Sequence, residues 1–154
     1  MYNVPIPAID AAVRAVLLAS PALTALLATK PPSKGGGPAI YAHGDVKQGD
    51  GTLYPYLLIG AYTQVRDHRM SPGAGGYGWN CTLQVTAVGQ KSEAQLFTIT
   101  NEVFAVLPDG GRLDVAGYGS AWADEFTVVP TLMELHSGVT TYRVPAVLRV
   151  RVHT

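Results

Sequence analysis

Residues 73–78 read Gly-Ala-Gly-Gly-Tyr-Gly and match the spacing GxGxxG. That spacing serves dinucleotides when a strand feeds the glycine turn and a helix leaves it, so that helix N–H groups meet the pyrophosphate. Here a polar loop precedes the glycines and a strand-like stretch follows. The context for a cofactor is missing, and a flexible loop is the preferred reading. No phosphate-cradling GxxxxGK[ST] stretch is present. The histidines are His43, His68, His136 and His153, and none lies at HExxH spacing. Glu134 and His136 share a strand parity and should sit on one face, but a zinc site takes three or four ligands. Asp124 and Glu125 are adjacent, so on a strand they point to opposite faces and cannot work as paired carboxylates. No serine sits in a nucleophile elbow. The single cysteine, Cys81, lies on the apolar parity of a strand and reads as a buried, inert thiol. No catalytic set, metal site or cofactor is expected, and the chain reads as a non-enzyme.

Two polar features are left. Arg143, Arg149 and Arg151 share one parity of the closing strand. Such a stripe is either the wet face of an edge strand, where charge discourages aggregation, or a basic surface turned to a partner's acidic patch or to DNA. The loop 66–78 carries Arg66, Asp67, His68, Arg69 and Tyr77 among four glycines and a proline. A structureless loop of this length is usually functional or disordered.

The elements that must position these residues follow from periodicity. Residues 79–89, WNCTLQVTAVG, place Trp79, Cys81, Leu83, Val85 and Ala87 on one parity and Asn80, Thr82, Gln84 and Thr86 on the other. That is a strand with one face in a core. Ser92 then caps a helix whose expected apolar stripe is Leu96, Phe97, Thr100, Val103, Phe104 and Leu107, stopped by Pro108 to Gly111. Upstream, Ile6, Ile9, Val13, Val16 and Leu17 predict a helix over 7–19, with Asp10 and Arg14 as an i,i+4 pair. Ser20-Pro21 predicts a second, short helix. Residues 30–38, KPPSKGGGP, read as a surface loop without regular structure. Strands are expected over 39–42, from Tyr54 towards Val65, weakly over 112–117, over 125–135 with Pro130 at an edge or bulge, and over 142–152. Two helices, three strands, one helix and three strands give an α+β fold: a mainly antiparallel sheet with helices on one face.

The chain has 154 residues, the size of a single domain (1–154) able to bury a core without disulfides. Eleven basic and eleven acidic residues cancel, which argues against a strongly basic nucleic-acid binder. Charged residues make up 14%, against a usual ~25%, which fits a surface hidden in an assembly. The uncharged run 15–29 is split by Ser20-Pro21 and is too short to span a membrane. It also lacks the basic lead of a signal peptide, so neither is expected.

The order of these pieces resembles the tail-terminator proteins of long-tailed bacteriophages, also called tail-completion or head–tail joining proteins. The residues that carry it are the alanine-rich first helix, Ser-Pro-Ala-Leu-Thr-Ala-Leu-Leu at 20–27, Ile40-Tyr41, and Tyr54-Pro55-Tyr56-Leu57-Leu58-Ile59-Gly60. Leu83-Gln84-Val85, the helix ending Val106-Leu107, and the closing Tyr142 to Val150 follow. The likeness spans nearly the whole chain, though each piece is generic. It implies a structural protein of the virion, at the head-proximal end of the tail, assembled in the host cytoplasm. Six copies would form a ring that caps the tail tube at its final length. The implied partners are further copies of itself, the tail tube protein and the head-completion or connector protein. Viral DNA would pass through the ring without sequence-specific contact, and no membrane is involved. Arg66, Asp67, His68, Arg69, Tyr77, Arg143, Arg149 and Arg151 are the candidate interface residues. A head-side stopper or connector ring is the alternative within the same class. A small nucleotide-binding enzyme using residues 73–78 is the alternative outside it. The chain departs from the family in its glycine-rich insert, residues 34–38, and in lacking a heavily charged loop after the second strand.

Overall fold

A computed structural model describes residues 6–47, 50–67, 78–107, 111–118 and 120–153. Its elements are α1 (Ile6–Leu18), α2 (Pro21–Thr24), β1 (Ile40–Ala42), β2 (Tyr56–Asp67), β3 (Gly78–Gly89), α3 (Glu93–Val106), β4 (Ser120–Val128), β5 (Leu132–His136) and β6 (Val139–His153). The fold is α+β, as expected, and the elements up to α3 follow the expected order. The six strands form one mixed sheet in the order β1-β2-β3-β6-β4, with β5 also paired to β6. Only β1 and β2 run parallel.

β6 sets the plan. Its alternation buries Val144, Ala146, Leu148, Val150 and Val152 and turns Arg143, Arg149 and Arg151 to the opposite face. β3 pairs with it from Gly78↔His153 to Gly89↔Tyr142, which puts Leu83 directly beside Leu148. Both are essentially inaccessible, as the parity requires. Helices α1 and α3 cover this face. Ile9, Val13 and Leu17 of α1 and Leu96, Ile99 and Val103 of α3 recur at three- and four-residue steps and close the core. Ser20 and Ser92 each accept from the backbone N–H three residues on and cap α2 and α3.

Five details differ from the sequence reading. Phe97 stands 41% exposed and Ile99 takes its place in the core. Leu96, Ile99, Thr100 and Val103 follow the helical period, while Phe97 is rotated off that stripe by one residue. Thr100 is tolerated inside because its hydroxyl donates to Leu96 O at 2.8 Å. Phe104 is only half-buried and stacks on Phe126, ring centroids 4.0 Å apart. The expected strand over 125–135 is two strands, parted at residues 129–131, because Pro130 cannot continue the ladder. The weak strand over 112–117 reduces to a short pairing: Leu113 N donates to Ala121 O and Ala123 N to Gly111 O. Finally, 30–38 is not structureless. Pro32–Lys34 form a 3-10 turn, Thr29 and Pro38 bridge, and Lys30 N donates to Gly37 O.

Gly60 explains the end of the Pro-Tyr-apolar-Gly strand. The His43 side chain lies against it, and a Cβ on Gly60 would lie 2.2 Å from His43 Cβ. Only glycine admits that approach. Leu83→Ala should cost ~2–5 kcal/mol of stability, since it opens a cavity between β3, β6 and the helices. Phe97→Ala should cost under ~1 kcal/mol. Urea unfolding of the two variants checks the ranking; equal losses would contradict the placement of α3.

Candidate functional site

The face of the sheet away from the helices carries a cleft of about 670 Å³. One wall is the loop that follows β1. The other is the hairpin formed by β5 and the start of β6, and Tyr56 and Leu58 of β2 lie between.

The loop wall is held by one carboxylate. Asp50 Oδ2 accepts from Lys47 N at 2.8 Å and from Lys34 Nζ at 2.6 Å. Its Oδ1 accepts from Thr52 N at 3.0 Å and from the Thr52 hydroxyl. Lys34 Nζ also donates to Asp45 O at 2.5 Å. These charge-assisted bonds, the Lys34 contact first, hold the Asp50 carboxyl far below the usual carboxylate range. Lys34 is delivered by the 3-10 turn of the proline- and glycine-rich insert, so that insert serves as a clip. Behind it lie three tyrosines. Tyr41 packs edge-on to Tyr56 at 5.6 Å, Tyr54 leans on Tyr56 at 5.2 Å, and Lys34 Nζ sits 5.4 Å from the Tyr41 ring centroid. Burial pushes the Tyr56 phenol up to about 12, so it is a neutral hydrogen-bonding group at physiological pH.

The hairpin wall was not legible as a hairpin from alternation alone. Ser137 and Gly138 both have positive φ, 51° and 79°, the pattern of a type I′ turn, and join β5 to β6. The Ser-Gly pair between two alternating runs was the available signal. Glu134 and His136 do share a face, as expected, and both line the cleft. Glu134 pairs with Arg143 at 3.6 Å. Among the described residues no group of three His, Cys, Asp or Glu side chains is placed to hold a metal ion. Cys81 is buried under the helices, and its surroundings push the thiol up to about 11. The cleft thus offers apolar contact, hydrogen-bonding groups and the charges of Lys47, Asp50, Glu134 and Arg143. Its best-placed carboxylate is fully occupied by donors.

The expected interface residues are dispersed. β6 is an interior strand between β3 and β4, so edge protection cannot account for its arginines. Arg143 lies at the base of the hairpin opposite Leu132, whereas Arg149 and Arg151 lie opposite Thr82 and Asn80. Six residues of strand, about 20 Å, separate Arg143 from Arg149. Arg66 and Asp67 end β2, opposite Trp79 and Gly78. His68, Arg69 and Tyr77, and with them residues 73–77 of the glycine motif, lie outside the described residues. No helix among the described residues is long and apolar enough to cross a membrane.

The chain is similar to a chain in the solved structure of the virion of a native gene transfer agent (GTA) particle. The likeness covers 99% of this chain and 100% of that one, with a TM-score of 0.69 and 18% sequence identity. What the two share is a fold. No family model and no curated protein matches the chain.

The Asp50 clip has a pH consequence. A carboxyl depressed on folding contributes stability that is present above its unfolded pKa, about 3.9, and is lost as pH falls through the folded value. Melting temperature should therefore fall below pH ~4 in the wild type, and less steeply in Asp50→Asn, which should also be less stable at pH 7. Identical acid limbs in the two proteins would remove Asp50 from this role.

Proposed function

We propose that this chain is a structural assembly protein of a phage-like particle, acting as the tail terminator. Copies form a ring, a hexamer by family resemblance, that caps the tail tube at full length and offers the head–tail joining surface. The observation that carries the reading is the end-to-end likeness to a chain of a virion. The low charged fraction supports it, since surface shared with neighbours is poor in charge. So does a cleft lined with hydrogen-bonding and apolar groups in which the Asp50 carboxylate is already engaged. Its role is to recognise surfaces, without chemical turnover. The neighbours in this reading are the tube protein below and the head connector above, with DNA passing through.

Arg149 and Arg151 stand together at one end of the sheet and are the part of the stripe assigned to a neighbour or to the DNA channel. Arg66 and Asp67, together with the loop beyond them, are assigned to contact with the tube or an adjacent subunit.

Deleting the gene from a producing strain and imaging the particles tests the role. Tube growth without a cap should give tails of uncontrolled length and no joined heads. Tails of normal length beside heads that lose DNA would identify the head-side stopper instead. For the residues, an Arg149→Glu, Arg151→Glu double variant should fold and yield at least ~10-fold fewer joined particles. Full yield would return the pair to solvated charge.

A further inference from the structure

At two places the chain covers an edge of its own sheet. On β1 the outward carbonyl of Ile40 accepts from Arg14 Nη1 at 3.3 Å. On β4, residues 111–113 pair with residues 121–123. The hairpin of β5 and early β6 is built differently. β5 pairs only with β6, and β3 ends at Gly89 opposite Tyr142, so the hairpin runs on past the end of β3 from residue 134 to residue 141 as a two-stranded arm, with Leu132 and Met133 at its base. This arm and the strand end leading to it hold six of the ten exposed large apolar side chains among the described residues. Met133 is 66% exposed and Leu135 is 75% exposed. Open, apolar strand edges are what soluble proteins avoid unless something covers them.

The register says where these groups face. Met133 and Leu135 lie opposite Tyr142 and Thr140, on the helix side of the sheet. Tyr142 packs on the core, but α3 begins only at Glu93, whose carboxylate is reached by Thr131 at the base of the arm. Past that point no described helix covers the arm. The cleft described above lies on the arm's other face, against Glu134 and Val139.

We infer that Met133 and Leu135 of one copy seat in the cleft of a second copy of this chain. The inference rests on the proposed ring-forming role and names the surface that role would use. The apolar strip and the cleft lie on opposite faces of one arm, so a chain cannot satisfy its own arm. A contact joining two different patches of identical chains is head to tail, and repeated it closes into a ring when the rotation allows. The cleft, about 670 Å³, has room for both side chains together, and Tyr54, Tyr56 and Leu58 give it apolar lining. Its two carboxylates are matched, Asp50 by Lys34 and Glu134 by Arg143, so closing it leaves neither of them unpaired. Zero net charge leaves no long-range repulsion between copies.

The test uses the full chain and two variants. Met133→Asp with Leu135→Asp disables the arm but keeps the cleft. Val139→Trp fills the cleft from an exposed strand position that tolerates large residues, and keeps the arm. Circular dichroism and melting confirm that both are folded. Wild type should self-associate at millimolar concentration in sedimentation runs, and each variant should do so at least ~30-fold more weakly. Mixed one to one, the variants should form dimers and nothing larger, because only one intact arm meets one intact cleft. Variants that associate like wild type overturn the inference while leaving the ring reading intact. A mixture that stays monomeric, or a wild type that does so at millimolar concentration, also overturns it. Failure of the ring reading is registered separately, by normal tails in the deletion strain.

Discussion

The alternation along β6 is the constraint on which the rest of the molecule depends. This strand is hydrogen-bonded to β3, β4 and β5, so its register decides which face each of them buries. A slip of one residue would turn Val144, Leu148, Val150 and Val152 to water and drive Arg143, Arg149 and Arg151 beneath the helices. Burying unpaired guanidinium groups costs far more than any gain in pairing, so the register is held firmly. The helices then have one place to go. α1 and α3 carry apolar stripes that match the face β6 leaves uncovered, and Leu83 and Leu148 meet beneath them.

The opposite face is organised by polar contacts instead. Lys34 reaches from a short turn to Asp50, Asp50 gathers the loop after β1, and three tyrosines fill the space behind. His43 can lie against β2 because Gly60 has no side chain there. Such a network aims groups in fixed directions, and its charges neutralise one another. The product is a cleft whose loop wall is held in place by paired charges.

Function in this reading comes from what the fold leaves uncovered. A buried core supports an arm on which Met133 and Leu135 stay exposed. Exposed apolar groups on a rigid two-stranded arm lose little freedom when covered, because the type I′ turn and the ladder already hold the backbone. That is the property expected of a subunit made to be joined to copies of itself. The end-to-end likeness to a virion chain is a likeness of fold.

Much of the local structure could be read directly from the chain. Alternation marked β3 and the main part of β6, Ser20-Pro21 and Ser92 marked helix starts, and the periodicity of residues 6–17 marked α1. The fold class followed from their order. These signals are local: a period, a cap or a proline acts within a few residues. Other features depended on contacts distant in sequence. That β6 is an interior strand could not be read, because nothing in residues 142–152 tells how many neighbours they will have. Ile99 displaced Phe97 because the angle at which α3 meets the sheet is set by the packing beneath it. Lys34 looked like loop charge until Asp50, sixteen residues on, came within 2.6 Å. The cleft brings residues 43–58 against residues 134–143, and no pattern within either stretch names the other. Sequence determined which elements form and which side of each is apolar, since burial and backbone hydrogen bonding act residue by residue. The tertiary structure alone decided which elements meet, because that depends on how all of them fill one volume together.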